Sequence, residues 1–122
     1  RVEERYLAGD EYARAVCAFD INLGFLRKIN RDRQTQRSVE IPACSAFMLA
    51  ERTEEHCALF TEADEAEFFG SDDELIAKAR HYLAHPADRI RIAGNGRARC
   101  VRAGYSNHDR LRHMLAVVEA LP

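Results

Sequence analysis

The residues best suited to chemistry lie in one short segment, RSVEIPAC, at residues 37–44. Arg37 carries a planar guanidinium whose N–H groups match the oxygens of a phosphate. Glu40 stands among apolar neighbours, where a carboxylate can accept hydrogen bonds from a diol such as a ribose. A cation and a lone acid at this spacing therefore predict a site for a ligand that carries both a phosphate and hydroxyl groups.

Pro42 constrains where the helix that carries these two residues begins. Proline lacks an N–H group and clashes with the carbonyl four residues back, so regular helix is predicted to begin near Ser38 or Val39. The backbone amides of residues 36–40 would then be unclaimed by the helix and free for a ligand. The start of a helix also carries partial positive charge, which favours a phosphate.

Glu40 also has a simpler interpretation. An ionised carboxylate in the first turn of a helix is stabilised by the helix dipole, or it can form a surface salt bridge with Arg37. Residue types and spacing alone leave the structural and the ligand-binding interpretations of this acid open.

The elements that must position these residues alternate between helix and strand. Helix is predicted over 10–17, 38–45 and 53–60, and strand over 19–25, 46–50 and 66–69. Because parallel strands need a crossover helix between them, this alternation predicts an α/β fold with a parallel sheet. Residues 26–37 have no period and form a loop that leaves the first strand. Ligands of such sheets bind at the carboxyl ends of the strands, which is where this loop opens.

Three helices without intervening strands are predicted after residue 70. Ser71 and Glu74 form a capping box, Pro86 ends the first helix, and the second ends near Gly104. Ser106 starts the third helix. The apolar stripes predicted for the three are Leu75, Ile76, Ala79, Tyr82 and Leu83; Ile90, Ala93 and Val101; and Leu111, Met114, Leu115, Val118 and Leu121. Residues 1–122 are thus predicted to be one domain, with an α/β part at 1–70 and a helical tail at 71–122.

The composition excludes several classes of protein. The 122 residues are 47% hydrophobic and 31% charged, with a net charge of −2, so no nucleic-acid partner is expected from electrostatics. No apolar run is long enough for a membrane span or a signal peptide. Cys17, Cys44, Cys57 and Cys100 form no C-x-x-C pair and favour free buried thiols in a reducing cytoplasm. Zinc sites at His56–Cys57 or at His81 and His85 are the alternative.

Four motifs occur in a characteristic order along the chain. The segment RSVEIPACSAFMLAERTEEHCALF spans 37–60, and FFGSDDEL (68–75), YLAHP (82–86) and GYSNHDRL (104–111) follow it. Together they resemble the C-terminal domain of group 1 glycosyltransferases, in the branch typified by spore-maturation-type proteins. The similarity covers essentially residues 10–120.

The resemblance implies a GT-B fold, in which two Rossmann-like domains face each other and the C-terminal one binds the nucleotide-sugar donor. The chain would then be a partial Rossmann-like, three-layer α/β domain with a helical tail. As the donor-binding part of a glycosyltransferase, it would serve the transfer of a sugar from a nucleotide diphosphate sugar to an acceptor hydroxyl. No D-x-D metal motif is present, and the resemblance implies no metal and no cofactor.

The resemblance also implies roles for individual residues. Substrate binding is expected from Glu40, Asp32, Arg33, Gln36 and Ser38. Glu40 matches the second acid of an E-x7-E motif and would contact the donor ribose, while Asp32 stands at the position of the first acid. Arg37 would act catalytically by stabilising charge on the leaving diphosphate. Ser45 stands where the family usually has glycine, and a side chain there is expected to crowd the following strand.

The resemblance also sets expectations about partners. The first β-α units of such a domain and the whole N-terminal acceptor domain are absent from the sequence, so the chain alone is expected to transfer no sugar. The missing strands would leave a bare sheet edge, through which two copies would pair as a homodimer. The alternative function is a noncatalytic α/β interaction module. A response-receiver-like domain is a third option, although Asp20 alone does not supply the clustered acids that it needs.

Overall fold

The computed structural model describes residues 7–121 and confirms the α/β class. Residues 1–6 and Pro122 of the predicted domain lie outside the described residues. The helices are α1 Gly9–Ala18, α2 Arg37–Ala43, α3 Glu54–Leu59, α4 Asp72–Ala84, α5 Pro86–Arg102 and α6 Asn107–Glu119. The strands are β1 Asn22–Gly24, β2 Met48–Glu51 and β3 Glu67–Phe69. A short 3-10 turn occupies Lys28–Asn30 in the loop after β1.

The three strands form one parallel sheet in the order β1-β2-β3, with Leu23 opposite Leu49 and Leu49 opposite Glu67. Helices cover both faces of this sheet. One core contains Val16, Ile41, Met48, Phe60, Phe68 and Cys100, and the other contains Phe47, Leu49, Phe69, Tyr82 and Ile92. The helical tail predicted after residue 70 is present as α4, α5 and α6. Within residues 7–121, no helix combines the length and apolarity needed to cross a lipid bilayer.

The first strand differs from its prediction. Only Asn22–Gly24 of the predicted strand 19–25 pairs with β2, and Phe19 and Phe25 are 61% and 59% exposed. The buried side chain is Asn22, whose Nδ2 donates to Val16 O at 3.1 Å and to Phe47 O at 3.3 Å. As an edge strand, β1 buries the side that faces α1, and the helices of the other face lie over β2 and β3. The alternating apolar residues therefore remain largely exposed.

All three apolar stripes of the tail differ in part from their predictions. On α4, Tyr82 is buried, but Ile76 and Leu83 are 49% and 57% exposed. On α5, Ala93 is buried as predicted, but Ile90 and Val101 are each 72% exposed, and the other buried positions are Ile92, Gly96 and Cys100. The predicted stripe of α6 is exposed along its whole length, and α6 has no buried residue. The face of α5 that packs against α2 carries Gly96. Because glycine has no side chain, the two helices can approach closely on this face.

The close approach of α5 occurs at Gly96. A Cβ atom at this position would lie 2.4 Å from Glu65 O and 3.2 Å from Pro42 Cβ. Gly94 lies two residues before Gly96 on the same helix. It offers a matched comparison, because a Cβ atom there would have no neighbour within 4 Å.

We expect Gly96→Ala to lower the free energy of unfolding by about 1–3 kcal/mol, because the backbone of Glu65 must move. Gly94→Ala should raise it by about 0.5–1 kcal/mol, since alanine favours helix and the site is open. Urea denaturation of both variants measures the difference. Equal effects of the two substitutions would contradict the close approach.

The outer edge of β3 is capped by side chains. Phe68 N donates to Glu67 Oε1 at 3.1 Å, and Phe68 O accepts from Lys78 Nζ at 2.6 Å and from Arg52 Nη2 at 3.2 Å. A strand whose outward N–H and C=O groups already have partners is closed to pairing with another chain. Within residues 7–121, no side chain caps the outward backbone groups of β1 in this way.

Ion pairs hold this cap together. Arg52 Nη2 lies 2.6 Å from both Glu62 Oε1 and Glu74 Oε1, and Lys78 Nζ lies 2.9 Å from the same two oxygens. The hydrogen bond from Arg52 is the main cause that lowers the pKa of Glu62 from 4.5 to about 2. The same guanidinium, together with the amide of Gly70, holds the pKa of Glu74 well below its usual range.

The free energy of unfolding should therefore depend on pH in the acid range. Above the unfolded pKa of 4.5 the stabilisation from Glu62 is fully present, and it is lost as the pH falls toward about 2, because unfolding then takes up protons. Glu62→Gln should remove about one of these protons and flatten the profile. Glu119→Gln, on α6, is the control and should leave the slope unchanged. A Glu62→Gln profile parallel to that of the parent protein would show that the pair contributes nothing to acid stability.

Candidate functional site

A cleft of about 360 Å³ opens at the carboxyl end of β1, and we call it the α2 cleft. It is lined by Phe25, Arg27, Asn30, Asp32, Thr35, Gln36, Arg37 and Glu40. The loop that leaves β1 supplies one wall and the start of α2 supplies the other. The fold thus brings together four of the six predicted site residues: Asp32, Gln36, Arg37 and Glu40.

Arg37 and Glu40 do not form the surface salt bridge that the simpler interpretation of Glu40 predicted. Arg37 is exposed, and among residues 7–121 no carboxylate lies within 4.0 Å of its guanidinium. Glu40 is half-buried and faces Tyr12 of α1. Burial of Tyr12, then the charge of Glu40 and a hydrogen bond with it, raise the pKa of the phenol. Within the part of the chain that the structure describes, the guanidinium of Arg37 and the carboxylate of Glu40 therefore do not pair with each other.

Arg33 and Ser38, the other two predicted residues, do not line the cleft. The guanidinium of Arg33 lies 3.1 Å from Glu54 Oε2 and 3.1 Å from Glu55 Oε2, at the start of α3. Ser38 is buried, and its hydroxyl lies 2.7 Å from His56 Nε2. Both side chains attach the loop and α2 to α3.

The prediction that the amides of residues 36–40 are free is wrong for three of them. Ser38 N donates to Thr35 O at 2.9 Å, while the amides of Val39 and Glu40 both donate to Gln36 O at 3.1 Å. Pro42 does not prevent these bonds, because its ring meets only the carbonyl of Ser38 and α2 begins at Arg37. Among the described residues, only the Gln36 and Arg37 amides of this group have no acceptor.

Sequence reasoning missed several residues around the site. Arg27 and Phe25 line the α2 cleft. From the sequence, residues 26–37 could be recognised only as a polar, basic loop, without any role for Arg27. A second groove of about 530 Å³ shares Thr35, Gln36 and Glu40 with the cleft and extends to the start of α6. Tyr105, at its far end, has a packing role, because its hydroxyl donates to Leu59 O at 3.0 Å. No local pattern marks these residues, since only the fold places them beside Glu40.

The zinc alternatives do not find support in the geometry. Both ring nitrogens of His56 contact protein oxygens, at 2.6 Å and 2.7 Å, and Cys57 points outward. His81 and His85 stack with their ring centroids 4.2 Å apart. Within residues 7–121, no group of three His, Cys, Asp or Glu side chains converges on one point. The cysteines are free, but only Cys100 is buried, so the prediction of buried thiols is wrong for the exposed Cys17 and Cys57.

Comparison with known proteins shows which family the chain belongs to. A family model described as glycosyl transferase-like matches residues 1–116. The chain belongs to the glycosyl transferase-like family. No curated protein and no solved structure matches this glycosyl transferase-like chain. The predicted resemblance is thus confirmed at the level of the family, and the spore-maturation-type branch stays a prediction.

Membership of the glycosyl transferase-like family gives this chain a role in glycosyl transfer in general terms, with a sugar donor as the expected class of substrate. The matched residues include both walls of the α2 cleft. The roles of individual cleft residues stay predictions.

Ser45 ends the helix that forms one wall of the cleft. Its φ is 58°, and the bonds from Ser45 N to Pro42 O at 2.9 Å and from Ala46 N to Ile41 O at 3.3 Å form a Schellman motif. The Ser45 side chain is exposed, so the expected crowding of the following strand does not occur. Glycine suits this position because its backbone adopts a left-handed conformation without strain.

We expect Ser45→Gly to raise the free energy of unfolding by about 1 kcal/mol, because it removes the strain of a left-handed non-glycine residue. Ser45→Ala keeps a Cβ atom at the same φ and should leave the stability nearly unchanged. Thermal or urea unfolding of the pair separates backbone strain from loss of the hydroxyl group. A stabilisation common to both variants would assign the effect to the side chain.

Proposed function

We propose that this chain is the donor-binding part of a GT-B glycosyltransferase and that the α2 cleft binds the nucleoside diphosphate of the sugar donor. The proposal is supported mainly by one observation. Four predicted site residues, Arg37, Gln36, Asp32 and Glu40, line one cleft at the carboxyl end of a parallel strand, and the chain belongs to the glycosyl transferase-like family. Open parallel sheets bind nucleotides at that end of their strands.

The cleft offers matched groups for the two halves of such a ligand. Arg37 and Arg27 place two cations beside the cleft, and the amides of Gln36 and Arg37 add donors for the diphosphate oxygens. The half-buried carboxylate of Glu40 accepts hydrogen bonds from the ribose hydroxyls. Asp32 also lines the cleft, and its carboxylate suits the hydroxyl groups of the sugar.

In catalysis, Arg37 stabilises the negative charge that develops on the leaving diphosphate as the bond to the sugar breaks. The base that takes the proton of the acceptor hydroxyl belongs to the N-terminal acceptor domain. For this reason the chain alone transfers no sugar. In this proposal residues 1–122 form one nucleotide-sugar-binding domain of a cytoplasmic enzyme. The sheet edge open to a second copy is β1, because the β3 edge is capped.

A noncatalytic interaction module is the second candidate function. One observation favours it: α6 exposes the apolar residues Leu111, Met114, Leu115 and Val118 on a helix without buried residues. Such a surface suits protein contacts. It does not account for the cation and the acid that share the α2 cleft.

Titration of the chain with uridine diphosphate and guanosine diphosphate, followed by calorimetry or NMR, tests the proposal. We expect millimolar or tighter binding. Glu40→Gln should weaken it about 10- to 100-fold, because charge-assisted hydrogen bonds to the ribose are lost. Arg37→Ala should weaken it about tenfold or more and reduce its dependence on salt.

Matched controls distinguish the cleft from general charge effects. Arg80→Ala removes an exposed arginine of α4 that does not line the cleft, and it should leave the affinity unchanged. Uridine without phosphates should bind with little dependence on Arg37. Absence of diphosphate binding, or binding that survives Glu40→Gln, would overturn the proposed function and favour the interaction module.

A further inference from the structure

Behind the α2 cleft, a buried histidine joins α2 to α3 and β2. His56 is 1% exposed and Ser38 is 4% exposed. His56 Nδ1 lies 2.6 Å from Glu51 O, and its Nε2 lies 2.7 Å from Ser38 Oγ. The hydroxyl oxygen of Ser38 also accepts from Thr35 N at 3.0 Å.

These contacts determine which group donates and which accepts in each hydrogen bond. The carbonyl of Glu51 can only accept, so the proton of a neutral His56 ring is on Nδ1. Nε2 then carries a lone pair and accepts from the hydroxyl of Ser38. The series runs from the Thr35 amide through Ser38 to His56 and ends at Glu51.

The imidazole ring within this series is also held by contacts outside it. The imidazole of His56 stacks on Phe68 of β3, with ring centroids 5.6 Å apart and an interplanar angle of 5°. The amide of His56 also donates to the Thr53 hydroxyl at 3.0 Å, and that hydroxyl donates to Arg33 O at 2.6 Å. The loop and the start of α2 are therefore attached to α3 at two points.

Ser38 is adjacent in sequence to the residues that line the cleft. Arg37 precedes it, and Glu40 follows within the same helical turn of α2. Thr35, the donor to Ser38, lines the cleft itself. A rotation of the first turn of α2 would move Arg37 and Glu40 together with Ser38 and would break the contact between Ser38 and His56.

We propose that Ser38 and His56 are positioning residues, which hold Arg37 and Glu40 in one orientation toward the donor; this inference rests on the proposed function. A buried polar pair contributes little stability compared with apolar groups of the same shape, but it imposes a direction that apolar groups do not. The contribution of the pair is therefore expected in ligand affinity more than in stability.

A double-mutant cycle with Ser38→Ala and His56→Phe, read by uridine diphosphate affinity and by urea unfolding, tests this role. The phenyl ring keeps the stacking on Phe68. Each single variant should bind about tenfold more weakly at a temperature where it is fully folded, and the double variant should be little worse than either. His56→Gln should restore most of the affinity, because its amide oxygen can accept from Ser38. Cys57→Ala, on the exposed face of α3, is the control.

The ¹⁵N signals of the imidazole test the hydrogen-bond direction without a ligand. We expect a protonated Nδ1 and an unprotonated Nε2, and the opposite tautomer would overturn the inference. If the parent chain binds no diphosphate, both the proposed function and the positioning role are wrong. If the parent binds and the single variants bind equally well, only the positioning role fails.

Discussion

Glu51 joins the two segments that form the α2 cleft. Its side chain accepts from Leu26 N at 2.8 Å, which fixes the loop that leaves β1. Its backbone carbonyl accepts from His56, which in turn holds Ser38 at the start of α2. Both walls of the cleft are therefore attached to the end of the central strand. Because side chains of β2 contribute to both cores, this attachment point is itself held by packing on the two faces of the sheet.

The two edges of the small sheet differ in character. At β3, a charged group of Arg52, Lys78 and three glutamates caps the outward backbone groups and closes the edge. At β1, the apolar Leu23 and Phe25 remain exposed, and no side chain of residues 7–121 caps the outward backbone groups of the strand. The α2 cleft opens at the carboxyl end of this same strand. A ligand in the α2 cleft and a polypeptide that pairs with β1 would thus meet the chain on the same side of the sheet.

Much of the fold was predictable because its signals are local. Ser71 and Ser106 accept from the amides of Glu74 and Asp109, as the capping patterns predicted. Gly104 ends α5 with a φ of 63°. The exposure of helix faces was not predictable in the same way. Ile90 and Val101 are as apolar as Ile92, and the choice between them depends on Gly96, whose missing side chain lets α5 approach Pro42 and Glu65.

For the candidate site, the sequence by itself determined which chemical groups are available: a guanidinium, a carboxylate and a helix start within one segment, together with membership of a glycosyltransferase family. Only the tertiary structure decided how they are used. Arg33, in the loop, and Arg37, at the start of α2, have the same side chain, yet one pairs with Glu54 and the other lines the cleft. The difference arises because parallel pairing of strands distant in sequence sets the position of α3. There it supplies a carboxylate partner to Arg33, whereas no carboxylate among residues 7–121 lies within 4.0 Å of the Arg37 guanidinium.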